Sequence, residues 1–137
     1  MEANELYRKP PQVLETCEDL KLFLACKRGR SHVAAGKVCQ DYCAAEQVAE
    51  EIFVVAVADG HGGDSYLKSD VGSQTACNVI IALTKKYSAL DERNFTDTLT
   101  APAFKTELFD AWQAAVLTDY RATNPDATDS DAEVIKK

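Results

Sequence analysis

Asp59, Gly60 and His61, followed by Gly62 and Gly63, place a carboxylate, a bare backbone and an imidazole within five consecutive residues. Carboxylate and carbonyl oxygens are ligands for a hard cation, and an imidazole titrates near neutrality and can carry a proton. A second carboxylate, Asp41, follows Gln40 upstream. Two carboxylates brought side by side repel one another unless something positive lies between them, and a divalent ion is the simplest such partner. The same residues also suit a plain strand-to-helix turn, with Asp59 as a cap and His61 as a solvated imidazole. Spacing by itself leaves both readings open.

These residues need elements to position them. Phe53 to Val57 are apolar and rich in β-branched and aromatic types, which predicts a buried strand that delivers Asp59 at its end. Loops at strand ends are where rigid scaffolds present reactive groups. Upstream, Leu20, Leu22, Leu24 and Cys26 alternate with Lys21, Phe23 and Ala25, the period of a strand with one buried face. Gly29 and Gly36 bracket a polar loop, and a further strand begins near Asp41. Glu46 to Glu51 then form the connection into the Phe53 strand. Antiparallel pairing of these two strands puts Asp41 beside Asp59.

Downstream the period changes. Leu67, Val71, Val79, Ile80, Leu83 and Tyr87 predict an amphipathic helix from about Ser65 to Ala89, with Asp64 or Ser65 as its cap. Phe104, Leu108, Trp112, Val116 and Tyr120 recur every four residues and predict a second helix, with Thr100 as cap and Pro102 in the first turn. Both read as packing elements, since such aromatic stripes usually face a core. Residues 1–19 read as a leader, 20–121 as the structured part and 122–137 as an acidic flexible tail.

The 137 residues suit one domain. With 15 Lys and Arg against 22 Asp and Glu, the net charge of -7 gives no footprint for nucleic acid or an anionic membrane. No apolar run approaches the roughly 18 residues of a membrane span. The five cysteines, Cys17, Cys26, Cys39, Cys43 and Cys77, are an odd number, and reduced thiols in the cytoplasm are the expectation. His32 with Cys39 and Cys43 matches no established zinc spacing, and small buried hydrophobes are the preferred reading of these cysteines.

Val57-Ala58-Asp59-Gly60-His61-Gly62-Gly63 resembles the signature of the protein phosphatase 2C family, the metal-dependent PPM-type serine/threonine phosphatases. The segment from Gly29 through Ser31-His32 and Gly36 to Cys39-Gln40-Asp41 resembles the corresponding stretch of a bacterial-type branch. The resemblance runs from about Leu20 to Tyr120. It implies an α+β fold, part of a four-layer α-β-β-α sandwich of antiparallel strands with two long helices packed on the sheet. It also implies two Mn²⁺ or Mg²⁺ ions, with Asp59 bridging them, the Gly60 carbonyl ligating one, and Asp41 as the upstream acidic ligand. By the same resemblance, His61 is the general acid that protonates the leaving alkoxide after in-line attack by a metal-bridging hydroxide.

The sequence departs from the family pattern in instructive ways. Many members carry an arginine for the substrate phosphate where this chain reads Gly36-Lys37-Val38, so Lys37, or the more distant Arg30, is the phosphate-binding candidate. Gln40 replaces a glutamate of other branches. Glu18-Asp19 imitates the acidic pair but precedes the first strand expected, and reads as a solvated charge run. The later family motifs have no counterpart before Lys137. The expectation is therefore an incomplete domain whose partner is a missing C-terminal half, because two divalent ions carry twice the charge that Asp41 and Asp59 neutralise. The leading function is a metal-dependent phosphoserine/phosphothreonine phosphatase acting on a phosphoprotein. The alternative is a non-catalytic phosphatase-like binding or regulatory module.

Overall fold

The computed structural model describes residues 11–17, 20–63, 66 and 68–136. Glu18-Asp19, the expected caps Asp64 and Ser65, and Leu67 lie outside the described residues, as does the first part of the expected leader. The chain is α+β. In order it forms β1 (Gln12–Cys17), β2 (Leu20–Leu24), α1 (Arg30–Ala34), β3 (Tyr42–Ala49), β4 (Ile52–Ala58), α2 (Ser69–Tyr87), α3 (Glu92–Thr100), α4 (Pro102–Thr123) and α5 (Asp131–Ile135). The strands make two antiparallel pairs, β1 with β2 and β3 with β4.

Strand alternation divides β3 between two cores. Ala44 and Val48 face one way and, with Ala56 of β4, pack against Cys77 and Ile81 of α2. Cys43 faces the other way and packs with Leu24, Cys26 and Cys39, bordered by Leu14 and Leu22 of the β1–β2 hairpin. A helix therefore covers one face of β3 and a hairpin the other. The outer face of β4 is left bare, with Val55 and Val57 exposed. β3 and β4 meet in a tight turn that Gln47 Nε2 closes by donating to the Glu50 carbonyl at 2.8 Å.

Several expectations are corrected in detail. Residues 12–17, read as part of a leader, pair with β2, because Val13 and Leu14 supply a strand alternation that sits in register with Phe23 and Leu22. The β3–β4 connection is only Glu50-Glu51, since Glu46 and Gln47 continue the ladder opposite Val54 and Phe53. The polar loop contains α1. The buried stripe of α2 is Ser73, Cys77, Ile81 and Thr84 rather than the expected Val71, Val79, Ile80, Leu83 and Tyr87. Cys77 and Ile81 of this stripe meet Ala44, Val48 and Ala56 on the sheet. Val71, Val79, Leu83 and Tyr87 are half-buried beside that stripe.

The helix expected from Phe104 to Tyr120 is α4, with Pro102 at its start and Ala101, not Thr100, as the cap. Trp112 Nε1 donates to the Gly72 carbonyl at 3.0 Å and fixes α4 on α2. Within the expected tail, residues 131–135 form α5, and acids of this segment find partners. Tyr120 donates to Asp129 Oδ2 at 2.6 Å, Arg121 pairs with Asp131 at 3.1 Å, Ser130 and Glu133 form a capping box, and Val134 is buried.

Candidate functional site

β3 and β4 end together. Tyr42 pairs with Ala58 at the last rung of the ladder, so Asp41 and Asp59 stand on neighbouring strands one residue beyond it. The Gly60 N–H donates to Asp41 Oδ1 at 3.1 Å, which ties the two segments across the end of the pair. Both aspartates are exposed, leaving carboxylate lone pairs turned to solvent.

Glycine at position 60 answers to close packing, not to backbone φ. Among the described residues only Gly36 takes a positive φ, 66°. Gly60 is needed for close approach instead, because a Cβ there would lie 2.7 Å from the Gln40 carbonyl carbon and 2.9 Å from Gln40 Cβ. Gln40 cannot readily retreat, since it is buried and Ser73 Oγ of α2 donates to its carbonyl. The Gln40-Asp41 backbone is thus clamped between α2 and the Gly60 turn.

The structure places the other candidates unequally. His61 is exposed and its ring stacks on Tyr66 with centroids 4.6 Å apart, a contact that limits where the imidazole can point. Lys37 Nζ reaches the turn and donates to the Gly62 carbonyl at 3.4 Å. Arg30 is exposed at the start of α1. His32, weighed for zinc and part of the upstream stretch that carries the resemblance, lies against the same turn, its Nε2 3.7 Å from where a Gly62 Cβ would stand. Cys39 and Cys43 are buried with Cys26 and Leu24 instead of facing His32 as ligands. Tyr66 and Ser73 are the supporting residues that motif reading missed. Tyr66 follows the turn in sequence, whereas only the packing of α2 against the Gln40 segment brings Ser73 there.

Asp59, Gly60 and His61 open onto a cavity of about 460 Å³ whose far wall is Trp112, Val116 and Val134. Lys68, at the mouth of α2, is held by Asp119 Oδ2 at 3.3 Å and Thr123 Oγ1 at 3.1 Å. Residues 28–134 match the family model described as protein phosphatase 2C, well over half of the chain. The chain belongs to the protein phosphatase 2C family. The match extends beyond Tyr120 and takes in most of α5, consistent with that helix docking on the same body. No curated protein and no solved structure matches the chain. No helix among the described residues is long and apolar enough to cross a membrane.

Protein phosphatase 2C proteins are generally metal-dependent. The donors that this chain brings together suit that chemistry in kind, being two carboxylates and a backbone carbonyl, all hard oxygens. In number they fall short. Among the described residues no group of three or more His, Cys, Asp or Glu side chains is arranged to hold an ion. An octahedral Mg²⁺ or Mn²⁺ takes about six oxygens. The set therefore fits one side of a single hard-cation site, completed by water or by groups from elsewhere, and does not fit two tightly held ions.

Proposed function

We propose that this chain carries part of the active site of a metal-dependent phosphatase that hydrolyses phosphoserine and phosphothreonine on proteins, in the cytoplasm. The observation that carries the reading is the Gly60 N–H bond to Asp41 Oδ1 at 3.1 Å, which holds two aspartates together at one strand end in a chain of this family. Asp41, Asp59 and the Gly60 carbonyl are the residues that would hold Mn²⁺ or Mg²⁺. When bound, such an ion supplies positive charge for the phosphoryl oxygens and makes a coordinated water more acidic.

The chain's own residues do the rest. Gly60 orients the Asp41 carboxylate through its N–H. His61, its ring steadied on Tyr66, donates a proton to the departing serine or threonine oxygen, which is a poor leaving group without one. Lys37, anchored over the turn at Gly62, offers a point charge to the phosphoryl group. Arg30 is the weaker candidate for that role, having only its exposed place at the start of α1. The apolar wall of Trp112 and Val116 gives room for a neighbouring side chain of a phosphoprotein substrate.

The test is hydrolysis of a phosphoserine peptide and of p-nitrophenyl phosphate with and without Mn²⁺, for the wild type, Asp59→Ala and His61→Ala. Asp59→Ala should abolish the Mn²⁺-dependent rate. His61→Ala should lower turnover on the peptide by about 10² to 10⁴, the range for a lost general acid, and by less on the aryl ester with its better leaving group. Mn²⁺-dependent hydrolysis that Asp59→Ala leaves untouched sinks the assignment. The alternative, a non-catalytic phosphatase-like module, is favoured by one specific observation, the exposed apolar residues Val13, Phe23, Val55 and Val57 on the strands. In that case, and equally if further metal ligands must be supplied by another segment, the isolated chain shows no metal-dependent rate. Activity that appears on adding such a segment separates those two.

A further inference from the structure

Cys26 and Cys39 stand thirteen residues apart in sequence with their sulfurs 3.6 Å apart. Both are buried, in the core that also holds Leu24 and Cys43. They share one neighbour of consequence. Cys26 Sγ donates to the Asp41 carbonyl oxygen at 2.9 Å, and Cys39 Sγ lies 3.7 Å from the same oxygen. A pair of thiols thus sits directly beneath the backbone of Asp41. Bonded sulfurs stand about 2.05 Å apart, so covalent closure needs an approach of roughly 1.5 Å, within what side-chain rotation provides.

We propose that Cys26 and Cys39 are a dithiol couple that hydrogen peroxide converts to a disulfide, and that closure alters the backbone carrying Asp41. In the first step one thiol sulfur attacks a peroxide oxygen; the O–O bond breaks, a sulfenic acid forms and water leaves. In the second, the other thiol sulfur attacks the sulfenic sulfur, the S–O bond breaks, and the released oxygen leaves as water with the second thiol's proton. Two electrons pass from the sulfurs to the peroxide. A small dithiol reverses the change by exchange. Neither sulfur of the disulfide has a hydrogen, so the Asp41 carbonyl loses its thiol donors and the Gln40–Tyr42 segment must find a new arrangement. The couple stands whether or not the chain is a phosphatase. Its bearing on a cation site at Asp41 rests on the function proposed above.

The test uses the full folded chain treated with equimolar hydrogen peroxide or with dithiothreitol, then alkylated, digested with trypsin and mapped by mass spectrometry. Cleavage after Lys27 and Lys37 separates Cys26 from Cys39, so a bond appears as a linked peptide pair. Cys43 travels on the Cys39 peptide, and a Cys43→Ser chain removes that ambiguity. The expected result is a fall from five alkylatable thiols to three, a Cys26–Cys39 link that survives Cys43→Ser, and reversal by dithiothreitol. Hydrogen exchange over Gln40–Tyr42 should rise on oxidation in the wild type, but not in Cys26→Ser or Cys39→Ser. Five thiols persisting, a link to Cys17, Cys43 or Cys77, a link formed only in urea, or an oxidised chain with unchanged exchange at Gln40–Tyr42 would each overturn the proposal.

Discussion

One methyl group at Gly60 should pry apart the two strand ends that carry the site. A Cβ there would sit 2.7 Å from the Gln40 carbonyl carbon and 2.9 Å from Gln40 Cβ. Carbon atoms prefer to stand about 3.5–4.0 Å apart, so the turn must withdraw by roughly 1 Å. Gln40 gives little ground, because its carbonyl accepts from Ser73 Oγ in the packed face of α2. The Gly60 N–H bond to Asp41 Oδ1, 3.1 Å at present, does not survive such a withdrawal. Forcing one carbon into a filled space typically costs about 1–3 kcal/mol, and that is the expected loss for Gly60→Ala. Urea unfolding followed by the fluorescence of Trp112, the one tryptophan of the chain, reads it directly. Gly62→Ala is the control, since a Cβ there finds ordinary distances of 3.6 Å to Gln40 Oε1 and 3.7 Å to His32 Nε2. Equal stability for Gly60→Ala, Gly62→Ala and the wild type would refute the close-approach argument.

Other perturbations probe the elements behind the site. Ile81→Ala should destabilise by about 2–5 kcal/mol, measured by urea unfolding, because Ile81 fills the core between α2 and the β3–β4 pair. Gly36→Ala should cost about 1 kcal/mol by the same measurement despite open space around the new methyl, since φ there is 66° and only the backbone objects. Asp91 caps α3 by accepting from the Asn94 N–H at 3.1 Å, and that backbone bond, with a side-chain bond from Asn94, holds its carboxyl below the ordinary value. A lowered folded-state pKa means stability present above the ordinary carboxylate range and lost as the pH falls through the folded value. The urea midpoint of the wild type should therefore exceed that of Asp91→Ala at neutral pH, with the gap closing in acid; a gap that persists unchanged argues against the cap.

The local elements around the site were legible because their signals are local. Phe53 to Val57 have the β-branched and aromatic types that suit a pleated surface, and β4 covers them, but the expected burial holds only for Ala56, with Val55 and Val57 exposed. The four-residue recurrence from Phe104 to Tyr120 has the helical period, and α4 covers it. The pairing of β3 with β4, and hence the meeting of Asp41 with Asp59, followed from two strands joined by a short connection. Short or unusually composed elements were not legible. α3 and α5 depend on the caps Asp91 and Ser130, whose side chains satisfy backbone donors that a count of apolar residues ignores. The buried face of α2 was misjudged because serine, cysteine and threonine carry weak hydrophobic signal, yet Ser73 and Thr84 are buried with their hydroxyls bonded to carbonyls and Cys77 packs on the alanines of the sheet.

By itself the sequence determined the two conspicuous strand and helix periods, the carboxylates and imidazole at one strand end, and the motif of the family. Tertiary structure alone decided that Gly60 is a matter of contact with Gln40 rather than of φ, and that His61 rests on Tyr66. It also decided that Cys26 and Cys39 meet under Asp41. The physical reason is one of range. Periodicity and propensity are written into neighbouring residues, whereas a close approach exists only once separate segments have been packed against each other, and no local pattern encodes the distance between them.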